Sequence, residues 1–222
     1  MFEDIFLDLL VNFDNGIQSK IYIKKLSRNE TKKLTNDDLK DPKFSKLESI
    51  DISGNIKITQ LNHLTSLKII ICHVKSLEKD FKECINLEEL HCQFTKIRNL
   101  NIFKKLKILN CSHCVNIIDY SFYKCILLED LNCQNTEIHK LKYYKSLKIL
   151  YCNYCININD ESIKLLTDLE ELYCWNTKIS NLNHCSKLKI IGCYQSKCIN
   201  ESSISRCLNL KEIHCENIRR IQ

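Results

Sequence analysis

Two Cys-x-x-Cys pairs are the residues of this 222-residue chain whose type and spacing could do chemistry. One lies in "LKILYCNYC", at Cys152 and Cys155, and the other in "LKILNCSHC", at Cys111 and Cys114. Such a pair can supply two ligands of a tetrahedral zinc site, or it can form a redox-active dithiol. The choice between a metal, a redox and a purely structural role depends on whether this spacing is confined to these two pairs or follows from a repeat along the whole chain.

The composition is typical of an intracellular protein with reduced thiols. The chain has 15 cysteines but only 3 glycines and 1 proline, whereas secreted disulfide frameworks are shorter, have an even cysteine count and contain many Gly/Pro turns. No segment approaches the roughly 18 apolar residues of a membrane span. The N-terminal "MFEDIFLDLL" has acidic residues where a signal peptide needs basic ones. We therefore expect an intracellular, cytoplasmic protein without a membrane segment.

A repeated "LxxLxC" core accounts for the cysteine spacing. From Leu87 onward the copies begin alternately 19 and 22 residues apart, which makes a 41-residue pair the true period. The nine copies are "LESIDI" at Leu47, "LKIIIC" at Leu67, "LEELHC" at Leu87, "LKILNC" at Leu106, "LEDLNC" at Leu128, "LKILYC" at Leu147, "LEELYC" at Leu169, "LKIIGC" at Leu188 and "LKEIHC" at Leu210. Below, positions are counted from the first Leu of each copy.

This pattern resembles the leucine-rich-repeat family, L-x-x-L-x-L-x-x-N/C-x-L, over about residues 44 to 221. The 22-residue copies are similar to its cysteine-containing subclass. The resemblance implies an α/β fold, a curved solenoid with a parallel sheet on the concave face and short helices or 3₁₀ turns on the convex face. We predict an N-terminal cap over residues 1–43 and a solenoid of about nine repeats over residues 44–222. In the longer copies, Asp119, Asp160 and Asn200 are expected to begin the convex helices.

The repeat assigns structural roles to most of the thiols. Position six, which should point into the core, holds Cys72, Cys92, Cys111, Cys133, Cys152, Cys174, Cys193 and Cys215. Position nine, where the chain leaves the strand, holds Asn55, Thr95, Cys114, Thr136, Cys155, Thr177 and Ser196. A ladder sets thiols in a line, whereas zinc needs four converging ligands. We therefore predict neither a metal site nor a cofactor, and a zinc-binding or redox-responsive protein is the third functional alternative.

Positions three, five and seven should face the concave side, where the side chains have no role in the core. The C-terminal half collects aromatic residues there, and Gly192 should leave a notch between Tyr173 and His214. Tyr and Trp dominate protein–protein affinity, and repeat proteins bind partners on concave faces. The predicted binding residues are Ile149, Tyr151, Asn153, Glu171, Tyr173, Trp175, Ile190, Tyr194 and His214. The sequence therefore favours non-enzymatic recognition of a protein partner, with the aromatic residues simply covering the sheet as the alternative.

Catalysis and nucleic-acid binding fit the sequence less well. His91 and His214 lie too far apart in the stack to cooperate, and we find no triad, carboxylate pair or phosphate loop, so we predict that the chain is not an enzyme. The net charge of +6 comes from scattered basic residues rather than a basic patch, and acidic side chains interleave with the aromatic ones. Both features argue against a nucleic-acid partner.

The two ends suggest further partners. Residues 1–43 begin with "EDIFLDLLVNF", which predicts a short amphipathic helix and is faintly similar to an F-box. The resemblance of the repeats to those of F-box substrate receptors implies, as the main alternative function, that residues 1–43 dock a ubiquitin-ligase adaptor. At the other end the chain stops just after the last strand, and an open parallel edge invites an end-to-end homodimer.

Overall fold

A ten-stranded parallel sheet runs through the molecule. The computed structural model describes residues 9–11, 21–73, 80–194, 198–215 and 218. A short antiparallel pair, β1 (Leu9–Val11) and β2 (Ile21–Ile23), precedes the sheet. The sheet strands follow in sequence order, and neighbours in the chain are neighbours in space. They are β3 (Lys25–Leu26), β4 (Ser49–Asp51), β5 (Ile69–Ile71), β6 (Glu89–His91), β7 (Ile108–Asn110), β8 (Asp130–Asn132), β9 (Ile149–Tyr151), β10 (Glu171–Tyr173), β11 (Ile190–Gly192) and β12 (Glu212–His214).

Strands β4 to β12 are the strands of the nine predicted repeats, and each covers positions three to five. In the repeat that begins at Leu87, for example, Leu87, Leu90 and Cys92 are completely buried, while Glu89 and His91 are half-buried on the other side. The alternation follows from the two-residue period of a strand. Position six is buried from Ile52 to Cys193 and only partly buried at Cys215, so the predicted inner ladder is confirmed.

In the six repeats whose position eight is described, the chain leaves the strand through a left-handed residue there. Its φ is positive at Phe94, His113, Asn135, Tyr154 and Asn176, and at Gly54. Position nine then closes the turn: Thr95 Oγ1 donates to the Cys92 carbonyl at 2.7 Å, and Cys114 Sγ of the next repeat donates to the same carbonyl at 2.9 Å. The thiol of the second cysteine in a Cys-x-x-Cys pair thus donates a hydrogen bond to a backbone carbonyl, as the repeat interpretation predicts.

Within the described part of the repeats, short helical segments lie on the convex side of the longer copies: α2 (Asp160–Ile163) and the 3₁₀ turns Asp119–Ser121 and Glu201–Ile204. Helix α1 (Arg28–Thr31) and the 3₁₀ turns Asp38–Lys40 and Pro42–Phe44 precede the first repeat core at Leu47. Asn200 caps its turn by accepting from the Ser202 and Ser203 backbone N–H groups, as predicted.

Helical segments begin at Asp119 and Asp160, as predicted, but neither carboxylate caps its own segment. Asn159 is the residue that caps α2. Asp160 Oδ1 instead accepts from the Ser180 backbone N–H at 2.7 Å, and Asp119 Oδ1 accepts from the His139 backbone N–H at 2.8 Å. Both carboxylates therefore link a long repeat to the short repeat that follows it, because the nearest unsatisfied N–H groups belong to the next turn of the solenoid.

The N-terminal segment differs from its prediction. Leu9–Val11 forms a strand paired with Ile21–Ile23, so the amphipathic helix predicted there is wrong at these residues, which gain strand partners instead. The rest of that segment, with most of the F-box-like run, lies outside the described residues. Strand β3 also extends the sheet into the predicted cap, where Lys25 pairs with Ser49.

One pair of thiols is oxidised, which corrects the prediction of reduced thiols throughout. Cys193 and Cys215 form a disulfide, with Cα atoms 4.8 Å apart. Strand spacing brings successive rungs of the ladder to a separation that a disulfide can bridge. The other 13 cysteines are free, and Cys198 is the exposed one among them.

Candidate functional site

The sheet register brings the predicted binding residues together on one face. We call it the concave face and define it by the side chains at positions three and five of β4 to β12 and at position seven, just after each strand. In one column Glu171 pairs with Ile149 on one side and Ile190 on the other. In the next, Tyr173 pairs with Tyr151 and with Gly192. All of these except Gly192 are half-buried, with one flank open.

Four aromatic side chains form two ring contacts on this face. Tyr151 and Tyr173 stack with centroids 4.6 Å apart and planes 4° from parallel. Trp175 and Tyr194 meet at 5.6 Å with planes tilted by 47°. Burial raises the pKa of both stacked phenols, so the rings stay neutral under ordinary conditions. We call these four residues the aromatic cluster.

Gly192 does not leave the predicted notch, because two rings lie over it. A Cβ atom built on Gly192 would lie 2.6 Å from Tyr173 Cδ1 and 3.1 Å from Trp175 Nε1. The absence of a side chain therefore lets the aromatic cluster close over β11. The Trp175 Nε1–H is buried and has no acceptor among the described residues.

Asn153 supports the cluster from below instead of facing outward. It is only 8% exposed, and its Oδ1 accepts from the Trp175 backbone N–H at 2.8 Å. The Trp175 carbonyl in turn accepts from the Tyr154 N–H at 2.7 Å. Asn153 therefore has a role in positioning Trp175, and its contact with a partner stays a prediction.

The polar residues of the face differ in how they are paired. His214 is exposed, with Nε2 3.4 Å from Glu212 Oε2. His91 Nε2 lies 2.6 Å from Glu89 Oε1. Asp130 and Glu171, by contrast, form no ion pair within the described part of the chain. Burial, together with the charges of Glu171 and Glu89, raises the pKa of Asp130 against the opposing effect of His91.

Asp130 is the residue of this face that the sequence-based site omits. It lies on β8 beside Ile149 and occupies the same column as Glu171. A signal for it exists in the sequence, because Glu89, Asp130, Glu171 and Glu212 recur at the 41-residue period.

A separate ion-pair ladder follows position two, as the alternating charges predict. Four lysines of this position each bond the Glu of the preceding repeat, with Nζ–Oε2 distances of 2.8 Å for Lys68–Glu48, 2.9 Å for Lys107–Glu88 and 2.6 Å for Lys148–Glu129, and Lys189 pairs with Glu170 in the same way. These pairs are exposed to solvent, which weakens their contribution to stability. These four lysines are therefore already matched with carboxylates.

A second aromatic surface lies on the return segments, where the sequence predicts only convex structure. Tyr120, Tyr123 and Tyr143 are exposed and line a cavity of about 500 Å³ together with Lys140. Lys140 Nζ stands 5.2 Å from the Tyr120 ring centroid. We call Tyr120, Tyr123 and Tyr143 the return-face tyrosine patch. It is also aromatic but lies away from the sheet, so it can serve as a control surface for the aromatic cluster.

Apart from the exposed Cys198, the free thiols are buried in the repeats. Burial raises the pKa of the Cys174 thiol to about 12. Hydrogen bonding from Cys92 and Cys133 lowers the pKa of Cys114 and Cys155 to about 7, but both sulfurs are completely enclosed. No group of three or more His, Cys, Asp or Glu side chains in the described residues is arranged to hold a metal ion. None of the described helices combines the length and apolar character needed to cross a bilayer.

Comparison with known proteins identifies the fold. Neither a protein-family model nor a curated protein matches the chain. An internalin (inlF) of Listeria monocytogenes superposes over 80% of this chain at 16% identity and a TM-score of 0.57. The functional domain of InlJ from Listeria monocytogenes, described as including a cysteine ladder, covers 89% at 18% identity and 0.53. A chain of the mouse RP105/MD-1 complex covers 80% at 17% identity and 0.59. This chain spans 64%, 57% and 35% of those three chains, respectively. With its consecutive parallel strands and its buried cysteine ladder, the protein has the leucine-rich-repeat fold.

Proposed function

We propose that the protein is a non-enzymatic recognition module that binds a protein partner on its concave face. The observation that carries this proposal is the preformed aromatic cluster, in which Tyr151, Tyr173, Trp175 and Tyr194 are held in contact but keep one flank open. Tyr194 is 46% exposed, and none of the four has a role in the buried ladder. Large aromatic residues fixed before binding lose little conformational entropy when a partner covers them.

The support beneath the cluster strengthens this proposal. Asn153 and Tyr154 hydrogen-bond the two backbone groups of Trp175, which places the indole reproducibly. Gly192 admits the Tyr173 ring to the sheet surface. One structurally similar chain comes from a structure of a protein complex, RP105/MD-1, which is consistent with a binding role for such a solenoid.

The test is affinity capture from lysate of the source cells with wild type and two double variants. Tyr173→Ala/Trp175→Ala removes the centre of the cluster, and Tyr120→Ala/Tyr143→Ala removes a comparable aromatic area from the return-face tyrosine patch. We expect proteins that are retained by wild type and by the return-face variant but lost from the cluster variant. Identical sets from all three proteins, with folding confirmed by thermal melting, would refute the proposal.

Finer proposals concern the ends of the chain and its compartment. As an F-box-type substrate receptor, the protein would bind a ubiquitin-ligase adaptor through residues 1–43, and adaptor subunits would persist in the capture by the cluster variant. Strand β12 ends the sheet order, which supports a homodimer through that edge. Light scattering across a concentration series tests the dimer. An intracellular, cytoplasmic location fits the 13 free thiols, whereas the Cys193–Cys215 disulfide favours an oxidising compartment, and imaging a tagged chain decides between the two.

A further inference from the structure

The charge of the concave face is opposite to that of the whole chain. Lys and Arg outnumber Asp and Glu by 33 to 27 overall. Yet positions three, five and seven of the described repeat strands, β4 to β12, contain no Lys or Arg. Lys25 on β3 lies in the position-three column at the far, N-terminal end of the sheet. The same positions hold five carboxylates: Asp51, Glu89, Asp130, Glu171 and Glu212.

Two of these carboxylates flank the stacked tyrosines and lack a cation. Asp130 and Glu171 are both register neighbours of Ile149, one on each side, and Tyr151 and Tyr173 form the adjacent column. Neither carboxylate pairs with a Lys, Arg or His in the described residues, although Glu89 and Glu212 each have a histidine beside them. Burial is the main cause of the raised pKa of Asp130, and the nearby Glu171 and Glu89 add to it against the opposing effect of His91. A cation placed between Asp130 and Glu171 would meet two carboxylates that have no competing ion pair within the described residues.

The spacing of the acidic column fits an extended polypeptide. Acidic residues on every second strand lie about 9.6 Å apart, because strands are about 4.8 Å apart. A polyproline II segment has three residues per turn and a rise of about 3.1 Å, so residues three apart lie on one face at about 9.3 Å. Ile149 and Ile190 supply apolar contacts within the column.

We infer that the concave face binds an extended, cationic polypeptide segment, with a Lys or Arg side chain seated between Asp130 and Glu171 beside the Tyr151–Tyr173 stack. This inference rests on the proposed function and adds the chemistry of the partner. Charge complementarity selects this partner, because the concave positions of β4 to β12 hold carboxylates and no Lys or Arg that would repel a cationic segment. The same carboxylates repel acidic segments and nucleic-acid phosphates.

The experiment is selection from a phage-displayed library of random 12-residue peptides on the immobilised full-length chain. Three variants accompany wild type: Asp130→Asn/Glu171→Gln removes the acidic pair, and Tyr173→Ala/Trp175→Ala removes the centre of the aromatic cluster. Glu83→Gln/Glu137→Gln changes the net charge equally at exposed positions outside the concave face. We expect wild type and the Glu83/Glu137 variant to enrich Lys- and Arg-containing peptides. For one synthesised peptide, the acidic-pair variant should bind about 10-fold more weakly or worse.

The outcomes separate this inference from the proposed function. Peptides that depend on Tyr173 and Trp175 but show no excess of Lys or Arg would overturn the cationic partner and leave the recognition surface standing. The cationic partner is equally overturned if the acidic-pair variant selects and binds basic peptides as well as wild type does. If no selected peptide is lost by the aromatic-cluster variant, the proposed function fails, and the inference fails with it.

Discussion

Gly192→Ala tests the geometry of the aromatic cluster with a single methyl group. The added Cβ would lie 2.6 Å from Tyr173 Cδ1, whereas carbon atoms in contact prefer about 3.5–4.0 Å. The Tyr173 ring must therefore move by roughly 1 Å. It cannot do so freely, because Tyr151 stacks on it at 4.6 Å and Trp175 Nε1 lies 3.1 Å from the new methyl group.

The expected cost is that of overpacking, about 1–3 kcal/mol in the free energy of unfolding. At about 2–4 °C per kcal/mol for a chain of this size, the melting temperature should fall by about 2–12 °C. Since φ at Gly192 is not in the left-handed region, backbone strain contributes nothing to this cost. Trp175 is the only tryptophan, so its fluorescence emission should also shift when the ring contacts change.

A double-mutant cycle with Tyr173→Ala isolates the clash. In that background both Tyr173 contacts are gone and Trp175 Nε1, 3.1 Å from the methyl group, is the close neighbour that remains, so Gly192→Ala should cost clearly less than in wild type. The preference for alanine over glycine within a strand, about 0.5–1 kcal/mol, offsets part of the remaining cost. We expect a coupling free energy of about 1 kcal/mol or more, measured by urea unfolding. If Gly192→Ala costs the same in both backgrounds, Tyr173 does not lie over β11, and the geometry assigned to the cluster is refuted.

Three further predictions concern the thiols and Asp130. Titration of the unfolded, unreduced chain should count 13 free thiols, and in the native chain Cys198 should react first because it is the exposed one; several fast-reacting thiols would contradict the buried ladder. Cys215→Ser should lower stability by about 3 kcal/mol, the chain-entropy value for a closed loop of about 22 residues, while Cys198→Ser has no effect; equal melting temperatures for both variants would exclude the Cys193–Cys215 disulfide. Because folding raises the pKa of Asp130 above 3.8, this carboxyl favours the folded state below that pH and loses that contribution as the pH rises through the raised pKa. Asp130→Asn should therefore be more stable than wild type in urea at pH 7, with a smaller difference near pH 3.5; an equal difference at both pH values would contradict the shift.

Much of the fold was predictable because the repeat makes the same physical demand nine times. Each copy places apolar residues at positions one, four and six. The strand period sends positions four and six to one side of the sheet, and position one is buried just before the strand begins. The ladder cysteines and the concave columns follow from that rule alone. Register is also determined, because a one-residue slip would bury Glu171 and expose Leu172.

The features that escaped prediction depend on contacts between repeats. Asn153 is a concave residue by position, yet it turns down to accept from Trp175, 22 residues along the chain. Asp160 has the sequence position of a helix cap but bonds the next repeat instead. Gly192 suggests a notch in the sequence, and only the structure shows the Tyr173 ring lying over it. The sequence pattern determines which side a residue faces, whereas it does not determine which neighbouring turn satisfies its polar atoms.

The three-residue strands separate stability from recognition. In β10 the central Leu172 is completely buried, and truncating such a residue to alanine typically costs about 2–5 kcal/mol. Its neighbours Glu171 and Tyr173 face away from the core, so folding alone does not require an acid at one and an aromatic ring at the other. A sheet that only needed cover could use any polar side chain there, as β7 and β8 do with Asn110 and Asn132. Packing of the core does not require carboxylates and aromatic rings at these positions of β8 to β10. Contact with a partner would explain them, and the experiments on the concave face test that explanation.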